Sequence, residues 1–426
     1  YTLTGGTHNF TVNQRPLNAT LSRQYDGTTN AAGSDLSSFD ALQGGETLTL
    51  SGSGAAANDN VANGISVSSL GSLALVNGTG LASNYSLNSA SLNITKRVLN
   101  SSGSKTYDAN TNALAGAITL SNLVSGEALN HSGTATISSA NAGSYTITNL
   151  AGITIADGSG GAASNYTLTG GTHNFTVNKR IVSVSGTRLY DATTNAIASD
   201  LSTHANLVGT QTLNLSGTGT IASKNVGSNK TVSVGTLALA DGTNGGLAAN
   251  YTLSGGTHQL TVNQRPLNAT LARQYDGTTA SAGSTLSSFD ALQGGETLTL
   301  SGSGTSASAN VANGIAMSSN GNLALVDGTG LASNYSLNST VINITQRILN
   351  SSGSKTYDAN TNALAGAITL SNLVSGEALN HSGTATISSA NAGSYTITNL
   401  AGITIADGSG GAASNYTLTG GTHNFT

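Results

Sequence analysis

The chain repeats itself in two nested periods, and any fold proposed for it must accommodate that repetition. Residues 101–176 and 351–426 are the same 76-residue string, offset by 250 positions. A shorter period is marked by a motif of a basic residue, any residue, then Tyr-Asp. Its tyrosines, Tyr25, Tyr107, Tyr190, Tyr275 and Tyr357, are spaced by 82, 83, 85 and 82 residues. The spacing predicts a tandem array in which each repeat is one supersecondary unit packed against the next.

Arg15, Arg97, Arg180, Arg265 and Arg347 keep the same step, each just after a Val-Asn or Ile-Thr pair, and are read as the module seams. They delimit modules 16–97, 98–180, 181–265, 266–347 and 348–426, the last lacking part of its closing strand. Residues 1–15 read as the closing strand of a preceding module. Residues 1–11 match 416–426 letter for letter, as expected of a window cut from a longer array.

Composition narrows the class. With 55 Gly, 8% charged and 37% hydrophobic residues, the chain is too poor in helix formers for helices and too apolar for disorder. Small β domains with many turns remain. A net charge of −4 over 426 residues is too dilute to hold a polyanion or a membrane surface, which makes nucleic acid and anionic lipid poor partners. No apolar run reaches the length of a membrane span. Cysteine is absent, so stability must come from packing and from neighbouring modules.

In the second module, Ala117–Leu120, Thr134–Ile137, Ser144–Ile147, Ile153–Ile155 and Tyr166–Leu168 alternate apolar with small polar residues, the pattern of short half-buried strands. Asn-Ala-Gly, Asp-Gly-Ser-Gly-Gly and Thr-Gly-Gly between them are turn sequences. Six or seven strands per module are expected, and no helix. The fold class is all-β: a tandem array of β-sandwich or β-grasp-like modules. No Gly or Ser linker interrupts the seams, and Pro16 and Pro266 stiffen two of them, which predicts a semi-rigid rod of roughly 30–40 Å per module.

The order Tyr-Asp-Gly/Ala-Asn/Thr, then Leu-x-Gly-x-Glu-x-Leu, Asn-Ala-Gly and Asn-Tyr-Thr-Leu resembles the YDG and MBG-type repeat domains of bacterial surface adhesins and filamentous haemagglutinin-like exoproteins. The resemblance spans all five modules. It departs from the pattern at Ala109, Ala192 and Ala359, which replace the Tyr-Asp-Gly glycine, and at Gln211, which replaces the Glu. It implies a secreted, surface-exposed, non-enzymatic stalk, usually bacterial.

The 13 tyrosines fall in three slots: the Tyr-Asp motif; the Asn-Tyr positions Tyr85, Tyr166, Tyr251, Tyr335 and Tyr416 with Tyr1; and Tyr145 with Tyr395. In a chain with no Trp and five Phe they are the largest apolar groups, and core anchoring is their expected role. The alternative, a platform for sugar rings, requires exposed rings on one face. Asp26, Asp108, Asp191, Asp276 and Asp358 are placed to cap the following turn. A rival is a weak calcium site joining them to Asp157, Asp241, Asp327 or Asp407, although the matching residue of the first module is Asn77. The basic residues Arg23, Lys105, Arg188, Arg273 and Lys355 could pair with Glu46, Glu127, Glu296 or Glu377.

A lysine isopeptide crosslink common to all modules is excluded, because the fourth module has no Lys. The histidines are not at metal-ligand spacing and no nucleophile arrangement accompanies them, so neither cofactor nor catalysis is expected. Asn-x-Ser/Thr sequons, such as those at Asn18, Asn93, Asn165 and Asn174, arise by chance in this composition.

Three readings of function follow. The first is a stiff spacer outside a bacterial cell, in which each module's partners are the adjacent modules. The second is a stretch of a self-assembling filament whose open strand edges are completed by identical chains. The third is a multivalent binder that grips cell-surface glycans weakly at each module.

Overall fold

The computed structural model describes residues 1–2 and 4–426. Two units make up the chain: residues 1–182, 205–214 and 239–256, and residues 183–204, 215–238 and 257–426. The division runs through the third module.

In the first unit, the module after Arg15 has eight strands: β1 Arg15–Gln24, β2 Asn30–Ala32, β3 Leu36–Phe39, β4 Leu48–Ser51, β5 Ser53–Ala56, β6 Ala62–Ser69, β7 Ala74–Asn77 and β8 Tyr85–Thr95. Six form one sheet in the order β2-β5-β6-β8-β1-β3, and β4 pairs with β7. The first and last strands, β1 and β8, lie side by side and parallel, from Arg15 opposite Tyr85 to Gln24 opposite Thr95. Everything between them is the crossover that a parallel pair needs. This parallel centre is the β-grasp-like arrangement without its helix: among the described residues there are only short 3-10 turns. The two-residue alternation of β1 buries Leu17, Ala19 and Leu21 completely or nearly so, opposite Leu87, Ala90 and Leu92 of β8.

The second module repeats this sheet path with Asn112–Leu114, Leu129–Ile137, Gly143–Asn149, His173–Asn178, Asn100–Thr106 and Ile118–Ser121. Its closing strand is broken in two. Tyr166–Thr167 pairs with Arg97–Val98, and His173–Asn178 pairs with Ser101–Thr106, because the Thr-Gly-Gly turn, with Gly170 at φ +91, interrupts what is continuous in β8.

In the second unit, Ser183–Leu189, Asn195–Ile197, Thr218–Ile221, Gly227–Ser233 and Gln259–Asn263 build the same sheet, and the fourth and fifth modules repeat the first and second. The strand count exceeds the six or seven read from sequence. Pieces as short as Ala31 with its two neighbours show no periodicity, yet they are held by pairing with β5.

Within each unit, buried side chains are shared between neighbouring modules. One cluster holds Leu21, Tyr25, Leu92 and Ile94 of the first module together with Leu99 and Tyr166 of the second. Another holds Leu271, Tyr275 and Ile344 of the fourth together with Leu349 and Tyr416 of the fifth. A module of this size is marginal alone, and shared cores of this kind let neighbours stabilise each other. Of residues 1–15, read as a closing strand, 4–14 form no strand and Arg15 already belongs to β1.

Candidate functional site

Each seam is built where the first strand of a module ends. At the first, β1 delivers Tyr25 and Asp26 into a turn. Asp26 accepts the Thr28 N–H at 2.9 Å and the guanidinium of Arg23. The turn recurs with Asp108, Asp191, Asp276 and Asp358 accepting the N–H two residues on, and Lys105, Arg188, Arg273 and Lys355 paired to those carboxylates. The basic residues therefore serve the Asp of their own turn. Their expected pairing with Glu46, Glu127, Glu296 or Glu377 is not made, because those carboxylates are taken by tyrosines.

Glu127, in the second module, accepts the hydroxyl of Tyr25 in the first at 2.6 Å and that of its own module's Tyr166 at 2.6 Å. The two rings meet edge to face, with centroids 5.5 Å apart and planes at 79°. The same triad joins Tyr190, Glu296 and Tyr335, with hydroxyl distances of 2.7 and 2.9 Å, and Tyr275, Glu377 and Tyr416, with 2.6 Å for each. At the second seam Gln211 takes the place of Glu: its amide donates to the Tyr107 hydroxyl at 3.0 Å and its carbonyl accepts Tyr251 at 2.5 Å. All four ring pairs are T-shaped at 5.3–5.5 Å, a geometry that adds about 0.5–1.5 kcal/mol to the burial itself.

Burial, then the acceptor carboxylate, raises the Tyr25 hydroxyl from its ordinary 10.0 to about 12, and Tyr416 behaves alike. At the third seam Lys224 also reaches Glu296 at 2.6 Å. Burial pushes the Glu296 carboxyl up, but hydrogen bonds from Lys224, Tyr190 and Tyr335 outweigh it and hold the group below its usual range.

The Asn before the second tyrosine of each triad forms a second lock. Asn165 accepts the N–H of Val61 at 2.9 Å and donates to Asn60 at 2.9 Å, both in the preceding module. Asn250, Asn334 and Asn415 hold the equivalent loops at Ala142, Val226 and Val311, and all four are at most 1% exposed. The seam arginine forms a third. Arg97 donates to the carbonyls of Asn122 and Tyr25, Arg180 to those of Asn206 and Tyr107, and Arg347 to those of Asn372 and Tyr275. Arg265 donates to the Tyr190 carbonyl, and Arg15 to that of Ala41. Asn122, Asn206 and Asn372 adopt positive φ, 66 to 74°, to present both backbone and side-chain oxygen to the guanidinium. Nothing in the motif pattern marks these asparagines beyond their recurrence after Ser or Ala.

A fourth element is steric. A Cβ on Gly27 would lie 2.8 Å from the Val124 side chain of the next module, and one on Gly277 equally close to Val374. At the third seam a Cβ on Gly294 would lie 2.9 Å from that of Ala192.

Asp157, Asp241, Asp327 and Asp407 each accept an N–H of the 3-10 turn before the Asn-Tyr pair, at 2.6–2.7 Å, and Asn77 does the same at 2.7 Å. A neutral amide in that series needs no cation. Among the described residues no group of three or more His, Asp or Glu side chains is placed to hold a metal. His173 and His423 bond Ser101 and Ser351, and His131 and His381 bond backbone carbonyls. Tyr25, Tyr107, Tyr190 and Tyr275 are at most 5% exposed and offer no stacking face to a sugar, whereas Tyr357 is 64% exposed.

No curated protein matches the chain. The YDG domain model matches it five times in tandem, at residues 9–93, 92–174, 175–262, 258–342 and 343–423. With these matches covering almost its whole length, the chain belongs to the YDG domain family as an array of five repeats.

Proposed function

We propose that this array is a non-enzymatic structural stalk of a bacterial cell-surface or secreted adhesin, a segment that holds something else away from its anchor. The observation that carries this reading is the recurrence of one Tyr–Glu/Gln–Tyr triad at every junction, with the Asn and Arg locks around it. Side chains otherwise available for chemistry are spent on joining modules, and no flexible linker separates them. Each buried ring contributes on the order of 1.5–3 kcal/mol, enough to couple modules that are marginal alone. Small-angle scattering of the dilute 426-residue protein tests the proposal. The stalk requires a maximum dimension of roughly 150–200 Å, five modules in line. A scattering curve of a globule of this mass would refute it.

A further inference from the structure

The parallel pair at the centre of a module is also where the chain enters and leaves it. In the fourth module the chain comes in at Arg265, the start of Arg265–Gln274, and goes out at Thr345, the end of Tyr335–Thr345. These strands lie side by side, with Arg265 opposite Tyr335 and Gln274 opposite Thr345. Entry and exit therefore sit at opposite ends of one ladder, roughly 33 Å long at the rise of a parallel strand. The first module is built alike, with entry at Arg15 and exit at Thr95. A single residue, Gln346 or Lys96, separates each exit from the first strand of the next module, so the junction holds no slack.

Tension along the chain reaches such a module as shear. The bonds of a parallel ladder are evenly spaced and run across the strands, so a pull along the strands loads all of them together. Were the same two strands antiparallel, entry and exit would share one end and the bonds would open one at a time. Sliding also meets the core: Leu267, Ala269, Leu271, Ile342 and Ile344 are buried, and a slip of one residue turns a strand's apolar side outward. The ladder has one irregularity, a bulge between Leu267 and Asn268, and it is pinned. Asn268 donates its N–H and its amide to Asp290 at 2.9 and 2.6 Å, and its side-chain oxygen accepts from Asn338 and Ser339 at 3.0 and 2.5 Å. Asn18, Asp40, Asn88 and Ser89 do the same in the first module. In the second module the interruption is wider: residues 168–172 leave the ladder between Thr167, opposite Val98, and His173, opposite Ser101.

We infer that the modules bear tension, each parallel pair acting as a shear clamp in the line of pull, and that the first and fourth modules, with their pinned ladders, yield at higher force than the second. The inference deepens the stalk reading and rests on it for the source of the load: a segment that holds a body away from its anchor is pulled along its chain whenever that body is pulled.

The test is single-molecule pulling of the full chain, because forced unfolding follows the unfolding barrier rather than the resting stability. The chain has no cysteine, so pairs introduced at exposed positions, kept reduced until coupled, take the handles. Gln264→Cys with Gln346→Cys pulls the fourth module in shear. Gln264→Cys with Ser333→Cys pulls it from one end of the ladder, since the Gln264 amide donates to the Ser333 carbonyl at 3.2 Å. Lys96→Cys with Lys179→Cys brackets the second module as the first pair brackets the fourth. At one loading rate the shear pair should rupture at several-fold higher force than the one-ended pair, with the gain of about 240–260 Å that unravelling of the fourth module gives. The second module in shear should rupture at lower force than the fourth. Equal forces in the two directions, or a second module as strong as the fourth, would overturn the inference. Scattering from the unloaded chain tests the stalk reading separately, so a rod whose modules show no directional strength would strike this inference alone.

Discussion

Tyr25 and Tyr166 belong to different modules, 141 positions apart, yet their rings touch edge to face at 5.5 Å and their hydroxyls converge on the single carboxylate of Glu127. The contact makes the Tyr-Asp motif an intermodule element. One half of each seam is the end of a first strand, and the other half is an Asn-Tyr pair and a turn Glu or Gln in the next repeat.

Removing a ring should loosen one seam and leave each sheet intact. Tyr275→Ala is expected to cost about 3–5 kcal/mol at the fourth seam, the range for buried aromatic truncation. Tyr275→Phe, which strips one donor from Glu377, should cost about 1–2 kcal/mol. Hydrogen exchange would report the loss as deprotection concentrated at Val374–Glu377 and Tyr416.

The buried asparagines provide an internal control. Asn165→Ala leaves the Val61 N–H without its acceptor and should cost about 1–3 kcal/mol, whereas Asn84→Ala, at the same repeat position but exposed, should change the stability of the dilute chain by less than about 0.5 kcal/mol. Paired thermal melts of the two variants at low concentration measure the difference.

Gly27 and Val124 should be energetically coupled. Ala is tolerated at this turn position at φ 63° elsewhere in the chain, so the penalty for Gly27→Ala comes from the 2.8 Å approach of Val124. Pairing it with Val124→Ala is expected to restore most of the loss, giving a coupling of about 0.5–3 kcal/mol in a double-mutant cycle. Additive effects would separate the two residues.

Alkaline titration should open the seams. A hydroxyl raised from 10.0 to about 12 in the folded chain, as at Tyr25, Tyr335 and Tyr416, keeps its proton more tightly folded than unfolded. Its contribution is complete below pH 10 and is lost as pH rises from about 10 to about 12. At the acid end the sign reverses for Glu296, whose depressed carboxyl contributes above its ordinary range and loses that contribution as pH falls through the folded value. Chemical denaturation followed at both extremes should show the two declines.

At the second seam the amide of Gln211 can be converted to a carboxylate. Gln211→Glu should let Tyr107 and Tyr251 both donate to a charged acceptor, as their counterparts do, and stabilise that junction by about 1 kcal/mol at neutral pH. Unchanged melting would show that charge adds nothing to the triad.

The repeat, the all-β class and most strands are legible in the sequence because each rests on local periodicity: Leu17, Ala19 and Leu21 alternate visibly with polar residues. The allegiance of Glu127 is not. In a tandem array a Glu stands at a fixed distance from the tyrosine of its own module and from that of the one before, and periodicity treats the two alike. Only the pairing geometry assigns it to Tyr25. Asn122 is hidden for another reason: at positive φ it accepts from the Arg97 guanidinium, a contact from outside its own turn.

Absence of cysteine makes the coupling directly measurable. Spin labels on cysteines introduced at the exposed Ser66 and Ser144, one in each of the first two modules, would give the intermodule distance distribution by pulsed electron resonance. A narrow distribution that broadens in Tyr25→Ala is the expected result. A distribution already broad in the unaltered seam, or one that Tyr25→Ala leaves unchanged, would contradict the claim that the tyrosine triad holds the modules together.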